Sequence, residues 1–254
     1  MSQKHLPLHM TRCAPLFLLM ALGPSIANTA PGGPLVLESK AARTHLLELY
    51  TSEGCSSCPP AEAWLSKLKD DGRLWRDFVP VAFHVDYWNR LGWRDPFSAK
   101  AWTARQYEYS AHWKAESVYT PGFVLDGREW HDRGALPPAS GPAAGVLKIV
   151  VESPDRVVAS FNAAQGSTGS FTVHVARLGF GLSVKVSAGE NSGRTLAHDF
   201  VVLGLTEGDL GSDPKEVRLA SVPSGQASGP AAIAAWVTQA GRIEPLQAVG
   251  GWLP

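Results

Sequence analysis

Two cysteines, Cys55 and Cys58, stand between a short apolar run and a segment with helical periodicity. The run THLLELYTS is typical of a buried strand, and from Ala61 onward apolar residues recur at helical spacing. A strand that leads directly into a helix places the cysteines beside unpaired N–H groups and the positive end of the helix dipole. This environment stabilises a thiolate, which makes the pair a candidate redox centre. The same pair could instead be half of a metal site or a structural disulfide.

The N-terminal segment has the pattern of a secretory signal peptide. Lys4 and Arg12 precede the apolar residues 13–23, and small residues then offer cleavage after Ala27 or, as a second choice, after Ala30. The apolar run is shorter than the roughly 20 residues that span a bilayer. The sequence therefore predicts a signal peptide at 1–27 and an exported protein, periplasmic or secreted, without a membrane span after cleavage.

Removal of residues 1–27 leaves two cysteines, Cys55 and Cys58, and 21 basic against 23 acidic residues, a net charge of −2. In an oxidising compartment a cysteine pair this close can persist as a disulfide. The Lys and Arg residues are scattered along the chain and form no cluster that would bind phosphates. We therefore expect no nucleic-acid partner, and the sequence specifies neither a cofactor nor an oligomeric state.

Residues 28–44 contain Gly and Pro and are typical of an N-terminal tether, after which the order of patterns in residues 45–136 is strand, helix, strand, helix, hairpin. FVPVAFHVDYW is the second strand, and DPFSAKAWTARQYEYSAHW is the second helix. In FVLDGREW the pair Asp126 and Gly127 tolerates the positive φ angles of a tight hairpin turn. This order predicts a mixed α/β sheet.

The character of the chain changes after residue 136. Residues 137–145 are a Pro/Gly linker, and residues 146–254 contain successive runs with alternating apolar positions, such as Phe171, Val173 and Val175. Gly, Asn and Ser separate these runs. The pattern predicts an antiparallel β-sandwich-like C-terminal domain.

A redox function assigns separate roles to the two cysteines. Cys55, nearer the exposed turn, would attack a partner disulfide or thiol, and Cys58 would resolve the mixed disulfide. Thr120 and Pro121 precede the predicted hairpin, where a cis proline facing the cysteines would shape the substrate groove. The catalytic candidates are thus Cys55 and Cys58, and the groove candidates are Thr120 and Pro121.

Five segments together resemble one exported bacterial family, catalogued as domain of unknown function 1223, and they occur in order between Leu46 and Leu205. They are ELYTSEGCSSCPPAEAWL, FHVDYWNRLGWRDPF, ARQYEYS, VYTPGFVLDGR and ENSGRTLAHDFVV. The resemblance implies a thioredoxin-like domain with a β-rich C-terminal part, and no established reaction. We therefore expect an α/β thioredoxin-like domain at 45–136, followed by the antiparallel β-sandwich-like domain at 146–254.

His84, Asp86 and Trp88 are accessory candidates. His84 and Asp86 end the second strand and Trp88 lies in the loop after it, and this end of the strand is expected to lie near the cysteines. Cys55, Cys58 and His84 could together hold copper or zinc, although no second cysteine pair completes a structural zinc site. The aromatic side chain of Trp88 could offer an apolar surface to a polypeptide substrate.

The function that these patterns favour is an exported thiol-disulfide oxidoreductase with protein thiols or disulfides as partners. Oxidase, reductase and isomerase roles stay open, because the reduction potential of Cys55 and Cys58 decides among them. Two alternatives belong to other classes. One is a non-enzymatic partner-binding module with a structural disulfide, and the other is a Cys/Cys/His metal-binding protein.

Overall fold

The computed structural model describes Met1 and residues 33–132, 135–139, 141–165, 169–211, 215–218 and 229–254. Apart from Met1, the predicted signal peptide at 1–27 lies outside the described residues, as do residues 28–32 of the predicted tether. Pro34–Pro254 form one compact unit.

The described residues form fourteen strands and two α-helices. The strands are β1 (Leu35–Glu38), β2 (His45–Thr51), β3 (Phe78–His84), β4 (Gly122–Leu125), β5 (Arg128–Glu129), β6 (Gly145–Ser153), β7 (Arg156–Ala163), β8 (Phe171–Gly179), β9 (Leu182–Lys185), β10 (Thr195–His198), β11 (Val201–Leu210), β12 (Lys215–Arg218), β13 (Ala231–Gln239) and β14 (Pro245–Trp252). The helices are α1 (Pro59–Ser66) and α2 (Lys100–Trp113), and short 3₁₀ helices occupy Lys67–Asp70 and Tyr87–Leu91.

Eight strands form one mixed sheet in the order β14-β13-β8-β11-β3-β2-β4-β5. Within it β3 pairs in parallel with both β2 and β11, and the other pairs are antiparallel. The contact between β11 and β3 includes Val201 opposite Ala82, and the Ala82 N–H donates to the Phe200 carbonyl at 2.8 Å. A second sheet has the order β1-β6-β7-β12, and β9 and β10 form a separate hairpin.

The large sheet is buried on both faces, and β13 illustrates why its sequence AAIAAWV is continuously apolar. Ala234 and Trp236 belong to the core that also contains side chains of α1 and α2. Ile233, Ala235 and Val237 belong to the core that the four-stranded sheet covers with β6 and β7. Successive side chains of a strand point to opposite faces, so a strand between two cores needs apolar residues at every position.

Local sequence signals account for the elements nearest the cysteines. Helix α1 begins with Pro59, a position where the missing N–H costs nothing and the fixed φ suits a helix. The β4–β5 turn has Asp126 at φ 50° and Gly127 at φ 81°, as the predicted hairpin requires. In the described part of the chain, no helix is long and apolar enough to cross a membrane.

The predicted fold class is wrong. The described residues are mostly strands, and residues 45–136 do not form an α/β thioredoxin-like domain of their own. Their strands share one sheet with β8, β11, β13 and β14, so the C-terminal strands are not a separate antiparallel sandwich either. Local periodicity identifies single strands, but it does not report which strand edges pair. The pairing of β11 with β3 is the long-range contact that the sequence pattern missed.

A buried ion pair fixes α2 against the large sheet. The Arg105 Nε and Nη2 atoms donate to the two carboxylate oxygens of Glu48 at 2.7 and 2.9 Å. The hydroxyls of Tyr50 and Tyr109 donate to the same carboxylate at 2.9 and 2.5 Å. The Arg105 guanidinium also lies 5.2 Å from the ring centroid of Trp236 on β13. Because each carboxylate oxygen of Glu48 accepts two hydrogen bonds and Arg105 supplies the opposite charge, the buried charges are compensated.

Replacement of Arg105 by Met should lower the free energy of unfolding by about 3–5 kcal/mol, because it leaves the Glu48 carboxylate buried without its partner. The matched control is Arg156→Met, which removes an exposed ion pair with Glu152 and should cost less than about 1 kcal/mol. Urea unfolding monitored by circular dichroism measures both. Equal losses in the two variants would contradict this account of the network.

Cleavage of the backbone within residues 137–145 should leave the two fragments associated. The fragments share the β3–β11 pair and also the β1–β6 pair, in which Leu37 lies opposite Ile149. A protease site inserted in this segment, followed by native gel filtration after cleavage, checks the expectation. Elution as two separate folded fragments would show that the shared sheet does not hold the halves together.

Candidate functional site

Cys55 and Cys58 lie at disulfide distance in the loop between β2 and α1, with their Cα atoms 5.5 Å apart. The loop is a chain of tight turns, in which the Cys55 N–H donates to Ser52 O and the Cys58 N–H donates to Cys55 O. Ser56 and Ser57 between the cysteines are exposed. Cys55 itself is only 1% exposed and Cys58 is fully buried, so the expected difference in exposure between the sulfurs is absent.

Thr120 and Pro121 face Cys55. The Thr120–Pro121 peptide bond is cis, and the Cys55 Sγ atom lies 3.8 Å from the Thr120 carbonyl oxygen. Trp88 fixes this arrangement, since its indole N–H donates to the Thr120 hydroxyl at 2.8 Å. A Cβ atom at Gly54 would lie 2.9 Å from the Trp88 Cβ, so the cysteine loop approaches Trp88 at a position that only glycine fits. Both groove candidates and Trp88 therefore lie at the cysteine pair.

The connection between β9 and β10 holds the cysteine loop from the other side. The buried amide of Asn191 donates from Nδ2 to the carbonyl oxygens of Glu53 and Cys55, both at 2.9 Å. The Ser56 N–H donates to the Glu190 carboxylate at 2.9 Å. Arg194 in turn donates to the Asn191 side-chain oxygen at 2.6 Å, which fixes the amide orientation. A segment more than 130 positions away in the chain thus supplies the partners of this loop.

Buried ionisable side chains lie on the elements that flank the cysteines. His198, at the end of β10, is bonded through Nδ1 to Glu62 at 2.5 Å and through Nε2 to Glu53 at 3.0 Å. Glu62 lies on α1 and also accepts from the Thr51 hydroxyl. Glu53 accepts from the Trp93 indole N–H at 2.6 Å. His198, Glu53 and Glu62 are at most 6% exposed.

His84 and Asp95 extend this cluster. His84 Nδ1 is 2.7 Å from Asp95 Oδ2, and that carboxylate also accepts from the Glu53 and Phe97 N–H groups at 2.9 Å. The His84 and His198 rings meet edge to face with centroids 5.0 Å apart. We call Glu53, Glu62, His84, Asp95 and His198 the buried His/Glu cluster.

The pKa values of the cluster reflect its ion pairs. Burial alone would lower the pKa of His198, but the hydrogen bonds to Glu53 and Glu62 outweigh it and raise the pKa to about 10. Burial acts to raise the pKa of Glu62, yet the bond and charge of His198 lower it overall. Burial likewise opposes the charged form of Asp95, and the charge of His84 together with its hydrogen bond holds the pKa down. At neutral pH, His198 is therefore an imidazolium that donates to both glutamates.

The three accessory candidates, His84, Asp86 and Trp88, lie in different surroundings in the structure. His84 belongs to the buried His/Glu cluster, and Trp88 lies at the groove. Asp86 accepts from the Thr103 hydroxyl at 2.6 Å and so anchors α2. In the part of the chain that the structure describes, the ligand atoms that converge with those of His84 belong to Glu62 and His198.

Sequence reasoning missed Glu53, Glu62, Asp95, Asn191 and His198 as site residues. His198 has the pattern of an inward-facing strand residue, and its two partners precede it by 145 and 136 positions. A signal was nevertheless present. All five residues lie within the segments TSEGCSSCPPAEAWL, FHVDYWNRLGWRDPF and ENSGRTLAHDFVV that carry the family resemblance.

Comparisons with known proteins identify the family. The chain belongs to the family described as protein of unknown function (DUF1223), whose profile matches residues 46–238. Among solved structures, it is similar to the crystal structure of protein AGR_C_4864 from Agrobacterium tumefaciens, with 25% identity over 85% of this chain and 96% of that chain and a TM-score of 0.58. It also shares its fold with HBP35 of Porphyromonas gingivalis, with 12% identity over 85% of this chain and 76% of that chain and a TM-score of 0.55. A search of curated proteins gives no significant match.

Replacement of Asn191 by Ala should loosen the cysteine loop, because the carbonyl oxygens of Glu53 and Cys55 lose their shared donor. Loss of a buried partner costs about 1–3 kcal/mol. We expect a decrease of this size in the free energy of unfolding and faster amide hydrogen exchange in residues 53–58. Ser192→Ala, at the exposed neighbour, is the control and should change stability by less than about 0.5 kcal/mol. Unchanged exchange in Asn191→Ala would contradict the anchoring role.

Proposed function

We propose that the protein is an exported thiol-disulfide oxidoreductase in which Cys55 and Cys58 exchange electrons with protein thiols or disulfides. The observation that carries the proposal is the cysteine pair itself, at disulfide distance at the start of α1 and facing the cis Thr120–Pro121 bond. Export rests on the signal-peptide pattern of residues 1–27.

The surroundings of Cys55 favour it as the attacking sulfur. Its Sγ lies 3.3 Å from the Ser57 hydroxyl, which can donate a hydrogen bond to a thiolate. Cys58 is the N-cap residue of α1, its carbonyl accepts from the Ala61 and Glu62 N–H groups, and its side chain is fully buried. Exposure does not separate the two sulfurs, so the assignment of the attacking role to Cys55 rests on its Ser57 and Thr120 contacts and on the place of Cys58 at the start of α1.

The reaction proceeds in two exchanges that balance in electrons and protons. The Cys55 thiolate attacks one sulfur of a partner disulfide, so a bond from Cys55 to the partner forms and the partner's second sulfur leaves as a thiolate that is then protonated. The Cys58 thiolate attacks Cys55 Sγ and displaces the remaining partner sulfur. The partner gains two electrons and two protons, and Cys55 and Cys58 become a disulfide. The reverse sequence oxidises a partner dithiol.

One observation favours a second function, a structural disulfide in a partner-binding module. Cys55 is 1% exposed and Cys58 is fully buried, whereas attack on a partner requires an accessible sulfur. Ser56 and Ser57, the residues between the two cysteines, are exposed. The loop of Glu190 and Asn191 is hydrogen-bonded to the cysteine loop at Ser56 and Cys55. Under the redox proposal, the residues around Cys55 must move when a partner docks, so that its sulfur becomes accessible.

Trapping separates the two functions. Cys58→Ser should accumulate a mixed disulfide between Cys55 and a partner protein, because attack still occurs and resolution does not. The matched variant Cys55→Ser should trap at least tenfold less. Non-reducing gels and mass spectrometry of the exported fraction detect the adducts and identify the partner cysteines.

A structural disulfide predicts another result. Neither variant would trap a partner, and both would lower the free energy of unfolding by a similar amount, about 2 kcal/mol or less for a ring of this size. That outcome would overturn the redox proposal.

A further inference from the structure

His84 carries a buried ring nitrogen that has no hydrogen-bond partner. In the described residues, three buried side-chain nitrogen or oxygen atoms lack a partner: Trp75 Nε1, Trp236 Nε1 and His84 Nε2. An indole nitrogen is only a donor, whereas an imidazole nitrogen can carry a lone pair. In the neutral form of His84 with Nδ1–H donating to Asp95, Nε2 is the nitrogen with the lone pair, and it is available as a ligand.

Two other possible metal ligands lie near His84. One ligand atom each from Glu62, His84 and His198 lies within 4.8 Å of the other two, and all three side chains are buried. Ligand atoms around a tetrahedral zinc ion lie roughly 3.3 Å apart, as follows from bond lengths near 2.0 Å. The separations of the three atoms therefore exceed this spacing by about 1.5 Å at most.

We propose that Glu62, His84 and His198 form a binding site for a divalent transition-metal ion, with Zn²⁺ as the best-fitting probe. The set of two histidines and one carboxylate matches the ligands of zinc sites that keep an open position. Thr51, Asp95 and Glu53 support the three ligands. The ion takes the place of the proton between His198 Nδ1 and Glu62, and that proton is released to solvent.

The partners of the ligands are those that a metal site needs. A metal-bound histidine usually donates its other ring N–H to a carboxylate, which orients the ring and strengthens the ligand. His84 has this arrangement with Asp95 at 2.7 Å, and His198 has it with Glu53 at 3.0 Å. The carboxylate of Glu62 is held in turn by the Thr51 hydroxyl. A buried nitrogen without a partner is unfavourable in an ordinary ion pair, and a bound ion would supply the partner that His84 Nε2 lacks.

A surface cavity adjoins one of the three ligand residues. The cavity has a volume of about 400 Å³ and is lined by Pro59, Pro60, Glu62, Ala63 and residues 194–197. Glu62 therefore lines the cavity and also has a ligand atom within 4.8 Å of both histidines. It is the ligand residue nearest to solvent through which an ion would enter.

The site is separate from the cysteine chemistry of the proposed function. Its ligands are nitrogen and oxygen atoms, and a disulfide offers no thiolate to a metal. The variant Cys55→Ser/Cys58→Ser should therefore keep the metal site while it abolishes thiol exchange, so that the two proposals can fail independently.

Calorimetric titration of the metal-stripped, oxidised protein with Zn²⁺ tests the proposal. We expect one equivalent to bind per chain with micromolar or tighter affinity, in the wild type and in Cys55→Ser/Cys58→Ser alike. His84→Gln should weaken binding at least about 100-fold, and Asp95→Asn, which removes the carboxylate that supports His84 but leaves the ligand atoms in place, by about 10- to 100-fold. His174→Gln is the control, because His174 is a buried histidine bonded to Glu207 and Thr238 outside the cluster, and its binding should be unchanged.

A second measurement does not depend on the folding of any variant. The Co²⁺-loaded wild type should show visible ligand-field bands of a nitrogen and oxygen site, without thiolate charge transfer. Failure of the wild type to bind one equivalent of Zn²⁺ would overturn the proposal. So would sulfur ligation of Co²⁺, or equal Zn²⁺ affinity of His84→Gln and the wild type in folded samples.

Discussion

The imidazolium of His198, held between Glu53 and Glu62, is the interaction on which the arrangement around the cysteines depends. An unpaired buried carboxylate or imidazolium would cost several kcal/mol, so the three side chains stabilise the fold only when they are together. Glu53 lies two residues before Cys55, and Glu62 lies four residues after Cys58. Their common partner on β10 therefore fixes both ends of the cysteine loop at once.

This bridge also ties together parts of the chain that are distant in sequence. The β9–β10 hairpin carries Asn191 and His198 to the cysteine loop, and the next strand, β11, pairs with β3 beside it. The pairing of β11 with β3 thus extends the large sheet, and it also places the β9–β10 hairpin beside the cysteine loop, where the buried His/Glu cluster forms. A similar buried pair, Glu48 with Arg105, fixes α2 on the same sheet.

Features that depend on neighbouring residues could be predicted from the sequence. The Cys55–Cys58 pair before a helix and the Asp126–Gly127 turn follow from local chemistry, and family membership followed from five short segments. The cis Thr120–Pro121 bond was expected because of the redox hypothesis that the cysteine pair suggested. The fold class could not be obtained in this way, because strands with the same alternation can close a sandwich or extend an existing sheet.

The residues of the candidate site likewise could not all be predicted from local sequence patterns. His198 lies in a strand-like run, and this local pattern gives no sign of its partners. Its function as a shared partner appears when Glu53 and Glu62 meet it across more than 130 positions of sequence. Asp86 shows the converse, since its place near His84 in sequence suggested a site residue, whereas its contacts are with α2.

The reduction potential of the Cys55–Cys58 disulfide tests the central claim most directly. Structural disulfides of exported proteins have potentials below about −300 mV, whereas disulfides that exchange with partners have higher values. Equilibration of the wild-type protein in glutathione buffers, with quantification of its reduced fraction by thiol alkylation, gives the value. The account predicts a potential clearly above about −300 mV, and a disulfide that stays oxidised below this value would contradict it.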